Sequence, residues 1–125
     1  MPTLIACLSS GKGTWTEVSR LIRAQQWSQI FLITNNFGKE KFTPNQNTKL
    51  IVLDFSQPLP LLISEIKKQL KNIQDFEVAL NFISGAGPEH MALLEAVLEL
   101  GLNFRLVTIN NHSKLEVLGI NNPTT

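Results

Sequence analysis

The chain has 125 residues, of which 43% are hydrophobic, and this length and apolar content predict one domain, residues 1–125, with a single core. Its formal net charge of +1 excludes the broadly positive surface that binding to long duplex nucleic acid requires. The single cysteine, Cys7, excludes an intramolecular disulfide and a cysteine-based zinc site, and its apolar neighbours predict a buried structural thiol.

The N-terminal segment and the lengths of the apolar runs indicate the cellular compartment. The first residues lack the basic flank and the long apolar stretch of a signal peptide. No apolar run approaches the roughly 20 residues that are needed to span a bilayer. We therefore expect a cytoplasmic protein with no membrane partner.

Short apolar runs rich in β-branched residues alternate with helical patterns along the chain. Such alternation is typical of βαβ units with a mostly parallel sheet, and strands that are apolar on both faces need helices on both sides. The pattern predicts an α/β fold, a three-layer Rossmann-like sandwich. The predicted strands are Thr3 to Leu8, Ile30 to Thr34, Leu50 to Phe55, Val78 to Ile83 and Phe104 to Ile109.

Three amphipathic helices are predicted between these strands. The first begins near Thr14, and the second begins after Pro58 or Pro60. The third begins at Pro88, a residue type suited to a first helical turn, and Gly101 is its predicted C-cap. The residues of this third helix that should face the core are Met91, Leu94, Val97 and Leu98.

Two polar segments interrupt the alternation. The stretch from Asn35 to Lys49 predicts a long connection over the end of the sheet, and a short extra strand could form within it. Residues 114–120 begin with polar and apolar residues in alternation, which is typical of an edge strand. The sheet is therefore expected to gain a strand near the C-terminus.

Two strand-to-helix loops contain the residues that we expect to bind a ligand. Glycines let the backbone turn sharply after strands one and four, and the unpaired amides of the helices that follow attract anions. In a sheet of order 3-2-1-4-5, these strands are neighbours where the winding reverses, so both loops border one crevice. The predicted ligand-binding residues are Ser9, Ser10, Gly11, Lys12, Gly13, Thr14, Asn35, Ser84, Gly85, Gly87 and His90.

The side chains in these loops suit an anion better than a metal. Lys12 would neutralise the anion, although its loop lacks the earlier glycine of a Walker A motif. His90, in a first helical turn, would stay neutral and act as a hydrogen-bonding or acid–base group. Neither histidine has a partner at metal-ligand spacing, so no metal and no cofactor are predicted. Solvated loop tips and helix caps are the alternative interpretation.

The segment from Val78 to Gly87, followed by Met91-Ala92-Leu93, resembles the Asn-x-Thr-Gly-Gly-Thr-Lys-x-Met stretch of CRISPR-associated Rossmann-fold (CARF) domains. The resemblance implies a homodimer that binds cyclic oligoadenylates at the carboxyl edge of the sheet, with the loop from Ser9 to Thr14 in contact with the ligand. Ser84 stands where the family has its threonine and Ala86 where it has its second glycine. The family's lysine, which would contact a phosphate, is replaced here.

Together these features predict a stand-alone domain that binds a nucleotide or a cyclic oligonucleotide of the oligoadenylate type. Two alternatives stay open. One is a metal-independent ring nuclease, in which Lys12 stabilises developing negative charge and a 2′-hydroxyl of the ligand attacks the phosphodiester. The other is a non-enzymatic protein-interaction domain, so the sequence does not decide whether the chain is an enzyme.

Overall fold

A computed structural model describes residues 2–8 and 12–119, and for Lys12 and Gly13 it describes the backbone alone. The strands are β1 Thr3–Leu8, β2 Gln29–Thr34, β3 Thr48–Val52, β4 Val78–Asn81, β5 Phe104–Ile109 and β6 Leu115–Val117. The helices are α1 Lys12–Arg23, α2 Asn36–Lys41, α3 Leu59–Leu70 and α4 Gly87–Glu99. None of these helices is both long enough and apolar enough to cross a membrane.

The six strands form one sheet in the order β3-β2-β1-β4-β5-β6. β1 lies in the interior of the sheet and pairs in parallel with β2 on one side and with β4 on the other. β3 and β5 extend the parallel sheet, whereas β6 runs antiparallel beside β5 as the predicted edge strand. The predicted Rossmann-like sandwich with a mostly parallel sheet is therefore confirmed.

Helices cover both faces of the sheet because successive side chains of a strand point to opposite sides. In β1, Ile5 and Cys7 belong to the cluster that contains α3 and α4, whereas Leu4, Ala6 and Leu8 belong to the cluster that contains α1. Every residue of β1 is buried. This two-sided burial explains why the strand is apolar at nearly every position rather than at every second one.

The segment between β2 and β3 forms a helix, not the short extra strand that the sequence suggests. Asn35 caps α2 by accepting a hydrogen bond from the N–H of Gly38 at 2.9 Å. Gly38 is buried against the sheet, where a Cβ atom would collide with Thr34 Oγ1 and lie 3.2 Å from the Leu8 carbonyl oxygen. The asparagine thus starts a helical turn, a role that its short amide side chain suits better than a place in a strand.

The strands β3 and β4 end earlier than predicted. β3 ends at Val52 rather than Phe55 because Asp54 accepts a hydrogen bond from the N–H two residues further on. β4 ends at Asn81 rather than Ile83 because Asn81 does the same. In both places a short polar side chain competes with the sheet for backbone hydrogen bonds and turns the chain.

The helix α4 occupies the predicted segment, but the prediction of its core face was largely wrong. Val97 is buried as predicted, whereas Met91, Leu94 and Leu98 are 61%, 36% and 56% exposed. Gly101, with φ of +70°, adopts the left-handed conformation expected after the last turn. Apolar residues lie on two sides of α4, and the packed side includes two small alanines. The buried residues of α4 are Glu89, Ala92, Leu93, Ala96 and Val97.

Thr3 has a buried hydroxyl whose Oγ1 has no hydrogen-bond partner within residues 2–8 and 12–119. Its N–H donates to Asp75 Oδ2 at 2.7 Å, and valine would keep that bond. A buried unpaired hydroxyl costs about 1–3 kcal/mol, part of which is recovered by an apolar group of the same shape. We expect Thr3→Val to raise the free energy of unfolding, measured with urea, by up to about 1 kcal/mol.

The control for this prediction is Thr48→Val on β3. The Thr48 hydroxyl donates to Asn45 Oδ1 at 2.5 Å, so its removal deletes a bond that is made. We expect no gain in stability from this second variant. A loss at Thr3 as large as the loss at Thr48 would contradict the assignment of the Thr3 hydroxyl as unpaired.

Candidate functional site

The sequence predicts a crevice at the carboxyl ends of β1 and β4. The two strands are paired in register from Leu4 opposite Ala79 to Ala6 opposite Asn81. α1 begins shortly after β1 ends, and α4 begins shortly after β4 ends. The predicted adjacency of these strands is confirmed, and both helix N-termini lie at this edge of the sheet.

The first predicted loop connects the end of β1 to the start of α1. Lys12 and Gly13 are the first two residues of α1, which places their backbone at the carboxyl edge. Thr14 follows in the same turn and is half-buried. The predicted ligand-binding residues that lie outside the described part of the chain are Ser9, Ser10 and Gly11.

The second loop is built around Gly85. Its φ is +101°, a conformation that favours glycine. A Cβ atom at this position would lie 2.5 Å from Glu89 Oε2, 3.1 Å from His90 Nε2 and 3.2 Å from Cys7 Cβ. Gly87 differs, because no atom lies within 4 Å of its Cβ position. The loop therefore needs a glycine at the first of these positions and has space for a side chain at the second.

The carboxylate of Glu89 occupies the N-terminus of α4. The residue is 8% exposed, and its Oε2 accepts a hydrogen bond from the N–H of Ala86 at 3.2 Å. This contact is half of a capping box, since alanine has no side-chain acceptor to complete it. A negative charge is stabilised at this end of a helix. The protein's own carboxylate thus lies where the sequence predicts an external anion.

Ser84 and His90 are joined within the same loop. His90 Nε2 donates to the Ser84 carbonyl oxygen at 2.8 Å, and its ring meets the Phe82 ring edge-on with 5.2 Å between centroids. Ser84 is fully buried. The Nε2–H of His90 therefore supports the loop, and a direct contact between the Ser84 side chain and a ligand requires the loop to rearrange.

Asn81 is an anchoring residue that the sequence analysis did not single out. It is 5% exposed, and its Nδ2 donates to the Val107 carbonyl oxygen of β5 at 2.8 Å. Its Oδ1 accepts from the N–H of Ile83 at 3.0 Å. One side chain therefore ties the end of β4 to β5 and begins the loop. A polar residue at the end of an apolar strand was the available signal, because buried amides are almost always hydrogen-bonded.

Cys7 lies beneath the second loop, and the predicted buried thiol is confirmed. Burial raises the pKa of the Cys7 thiol far above its ordinary value, and the Glu89 carboxylate raises it further. A thiolate is the form that acts as a nucleophile. The site therefore offers no activated cysteine at this position.

A second depression, of about 330 Å³, lies beside the carboxyl ends of β2 and β3. Asn35 borders it, with its Oδ1 engaged in the α2 cap. Asp54 also borders it and accepts hydrogen bonds from the hydroxyl and the N–H of Ser56 at 2.6 and 3.0 Å, which lower the pKa of Asp54. These two side chains stabilise turns in the structure.

The aromatic ring of Trp15 packs α1 against α2. Its centroid lies 5.9 Å from that of Phe37 and 6.4 Å from that of Phe42. At the far end of α1, Arg20 donates to the Asn110 carbonyl oxygen at 3.1 Å in the turn between β5 and β6. Among the described residues, no cluster of three or more His, Cys, Asp or Glu side chains is arranged to hold a metal ion.

Comparison with known proteins does not assign this chain to a family. No protein-family model matches the sequence, and no curated protein matches it. The function is therefore argued from the residues of the site and from the short resemblance in β4 and its loop.

Gly85→Ala and Gly87→Ala are the same chemical change two residues apart. At Gly85 the positive φ costs alanine about 1–2 kcal/mol, and the contacts with Glu89 and Cys7 add to this. We expect a loss of at least about 2 kcal/mol in the free energy of unfolding. Gly87→Ala should stay within about 1 kcal/mol of the wild type, because the space is open. Equal losses, measured by urea unfolding, would contradict this account of the loop.

The buried thiol predicts a loss of stability at alkaline pH. Folding raises the pKa of the Cys7 thiol. The contribution of the neutral thiol to the free energy of unfolding is therefore complete below the ordinary thiol pKa of 9.0. Above that pH the contribution is lost, because the thiol ionises in the unfolded chain but not in the folded one. Between about pH 9 and about pH 10, the free energy of unfolding of the wild type should fall by about 1 kcal/mol more than that of Cys7→Ala. The chain has no tyrosine, so no phenol titrates in this window. Parallel pH profiles of the two proteins would argue against a buried neutral thiol.

Proposed function

We propose that this chain is a binding domain for a nucleotide-like anion, of the cyclic oligoadenylate class, at the carboxyl ends of β1 and β4. The observation that carries the proposal is the pairing of these two strands where the winding of the sheet reverses. In open α/β sheets, ligands bind outside the carboxyl ends of the strands at this point. Each of the two strands leads here into a glycine-containing loop and then into a helix N-terminus.

The two helix N-termini differ in the ligand groups that they favour. α1 has no acidic residue in its first turn, and Lys12 brings a positive charge to this end of the helix, which already favours anions. The N-terminus of α4 already holds the Glu89 carboxylate, which would repel a phosphate. The phosphate of the ligand therefore belongs at α1, and an uncharged sugar or base belongs near α4.

The short resemblance to CARF domains supports the choice of ligand class. It covers β4, the loop and the first half of α4, and it brings with it the expectation of a homodimer. The replaced lysine of the family pattern and the Glu89 carboxylate both shift the phosphate away from α4. The proposal accordingly includes a cytoplasmic homodimer whose phosphate-binding groups come mainly from the β1–α1 connection.

A second candidate function, protein interaction, is favoured by the outer surface of α4. Met91, Leu94 and Leu98 leave a row of apolar side chains partly exposed. Contiguous exposed apolar patches on soluble proteins commonly mark interaction sites. This candidate is compatible with ligand binding, because the row lies along the helix and the proposed site lies at its N-terminal end.

The experiment that tests the proposal is thermal unfolding with a panel of mononucleotides, linear dinucleotides and cyclic oligoadenylates. A ligand at about one hundred times its dissociation constant stabilises a protein by roughly 2.7 kcal/mol. We expect one member of the panel to raise the melting temperature of the wild type. The same ligand should give no shift with Lys12→Ala, and a normal shift with Lys49→Ala, which removes an exposed lysine from β3.

Chromatography of each ligand after incubation separates binding from cleavage. An unchanged ligand supports a binding domain, whereas a Lys12-dependent product would make the chain a ring nuclease. A shift that survives Lys12→Ala would move the phosphate away from α1. No shift with any member of the panel would overturn the proposal and leave protein interaction as the function.

A further inference from the structure

The depression of about 330 Å³ at the carboxyl ends of β2 and β3, the β2–β3 depression, is bordered by two phenylalanine rings. Phe37 borders it from α2, and Phe55 borders it from the turn after β3. Leu53 also borders it and is only 6% exposed, so the depression has an apolar base. The other residues that line it are Asn35, Asn36 and Asp54.

Both rings are supported by packing. Phe37 is 39% exposed and contacts the ring of Trp15, with 5.9 Å between the centroids. Phe55 is half-buried and packs against the core cluster that contains α3 and α4. A flat ligand group that stacks on these rings therefore pays little additional side-chain entropy. Nucleobases are flat groups that stack on aromatic side chains in this way.

The polar side chains of the depression keep hydrogen-bonding atoms that the fold does not use. Asn35 Oδ1 accepts from the N–H of Gly38, and Asp54 Oδ1 accepts from the hydroxyl and the N–H of Ser56. Within residues 2–8 and 12–119, Asn35 Nδ2, Asp54 Oδ2 and the side-chain amide of Asn36 make no hydrogen bond. The depression therefore offers a ligand amide donors, an amide acceptor and a carboxylate acceptor.

The charge of Asp54 determines which part of a nucleotide suits the depression. The hydrogen bonds from Ser56 lower the pKa of Asp54, so this group is a carboxylate at neutral pH. Among the described residues that line the depression, none is an arginine or a lysine. A phosphate there would meet an unbalanced negative charge, whereas a ribose hydroxyl would donate a hydrogen bond to the carboxylate. The depression therefore suits an uncharged nucleoside.

The β2–β3 depression adjoins the first turn of α1. β1 and β2 are paired up to their carboxyl ends, where Leu8 lies opposite Thr34. Trp15 belongs to the first turn of α1 and contacts Phe37, whose ring borders the depression. One aromatic contact therefore separates the helix end at which the phosphate is proposed from the depression. A single ligand can occupy both places.

We propose that the β2–β3 depression is a nucleoside subsite, in which a base stacks on Phe37 and a 2′- or 3′-hydroxyl of the ribose donates to Asp54. The Asn36 amide then meets the edge of the base. An amide presents a donor beside an acceptor, which is the pattern that pairs with adenine, whereas guanine is read by arginine or lysine. We therefore expect adenosine to bind more tightly than guanosine.

The inference rests on the proposed function for the position of the phosphate and adds a nucleoside on the β2 side of it. With a phosphate at the N-terminus of α1, one nucleoside extends toward α4 and a second enters the depression. A phosphate with a nucleoside on each side is a phosphodiester. The ligand class is therefore a linear or cyclic oligonucleotide with at least two linked nucleotides, and a mononucleotide fills only half of the site.

The first test is the dissociation constant of adenosine, which has no phosphate, measured by chemical-shift titration of the full chain. Phe37→Leu keeps an apolar side chain against Trp15 and removes the flat ring. We expect it to raise the dissociation constant about tenfold or more, because the stacking of one base is lost. Phe76→Leu is the matched control, the same change at a phenylalanine that is 87% exposed between α3 and β4. The control should bind adenosine as the wild type does.

The second test is the ribose contact. Asp54→Asn removes the carboxylate but keeps an oxygen that accepts from Ser56, so the turn is preserved. We expect this variant to bind adenosine about tenfold more weakly, because a hydrogen bond to a charged group is lost. It should not change the binding of 2′,3′-dideoxyadenosine, which lacks both hydroxyls. Equal losses for the two probes would contradict the ribose contact.

The third test is the length of the ligand. The linear dinucleotide ApA should bind more tightly than AMP, and Phe37→Leu should reduce this advantage. A mononucleotide that binds as tightly as ApA would overturn the two-nucleoside ligand. Circular dichroism establishes that each variant is folded.

Four results with adenosine would overturn the subsite. They are no binding at millimolar concentration, chemical-shift changes that leave residues 35–37 and 53–55 unaffected, equal weakening by Phe37→Leu and its control, and tighter binding of choline than of adenosine. Choline is included because a cation can also bind to aromatic rings beside a carboxylate.

Lys12→Ala separates this inference from the proposed function. Adenosine has no phosphate, so its binding should be unchanged in this variant. Adenosine that binds in the depression while no nucleotide gives a Lys12-dependent shift would overturn the proposed function alone. A Lys12-dependent shift with a nucleotide that Phe37→Leu leaves intact would overturn this inference alone.

Discussion

The burial of β1 is the constraint on which the rest of the structure depends. The strand is paired on both edges, with β2 and with β4, and it is packed on both faces by helices. Neighbouring parallel strands cannot be joined by tight turns, so the chain must return from the carboxyl end of the sheet to its amino end before the next strand. Each helix that makes this return begins at the carboxyl end of the sheet. The N-termini of α1 and α4 are brought to one edge by this requirement, which exists independently of any ligand.

At that edge, close packing determines the chemistry of the second loop. Gly85 lets the backbone pass over Cys7, and the space beside it is filled by the Glu89 carboxylate and the His90 ring. The carboxylate satisfies an amide at the start of α4 and also raises the pKa of the thiol below. One packing arrangement thus neutralises the helix end and keeps the thiol protonated.

The helix α4 is apolar on two sides, and only one of them packs on the sheet. The side that contains small alanines packs on the sheet, while larger side chains at Met91, Leu94 and Leu98 form a ridge beside a groove between α3 and α4. Lys67 and Glu99 join the two helices at one height and distribute opposite charges across the face. The proposed ligand site lies at the N-terminal end of α4, and the exposed apolar row lies along the rest of the same helix.

The sequence by itself determined the alternation of strands and helices, the parallel sheet and the glycine-containing turn before α4, because apolar runs and backbone-permissive residues are local signals. It also determined that Cys7 is buried, since an apolar run surrounds it. Only the tertiary structure decided which apolar side of α4 meets the sheet, because both sides satisfy helical periodicity and the choice depends on the space available. The same holds for Glu89 and Asn81, whose partners Cys7 and Val107 lie far away in sequence and meet them only when β4 is placed between β1 and β5.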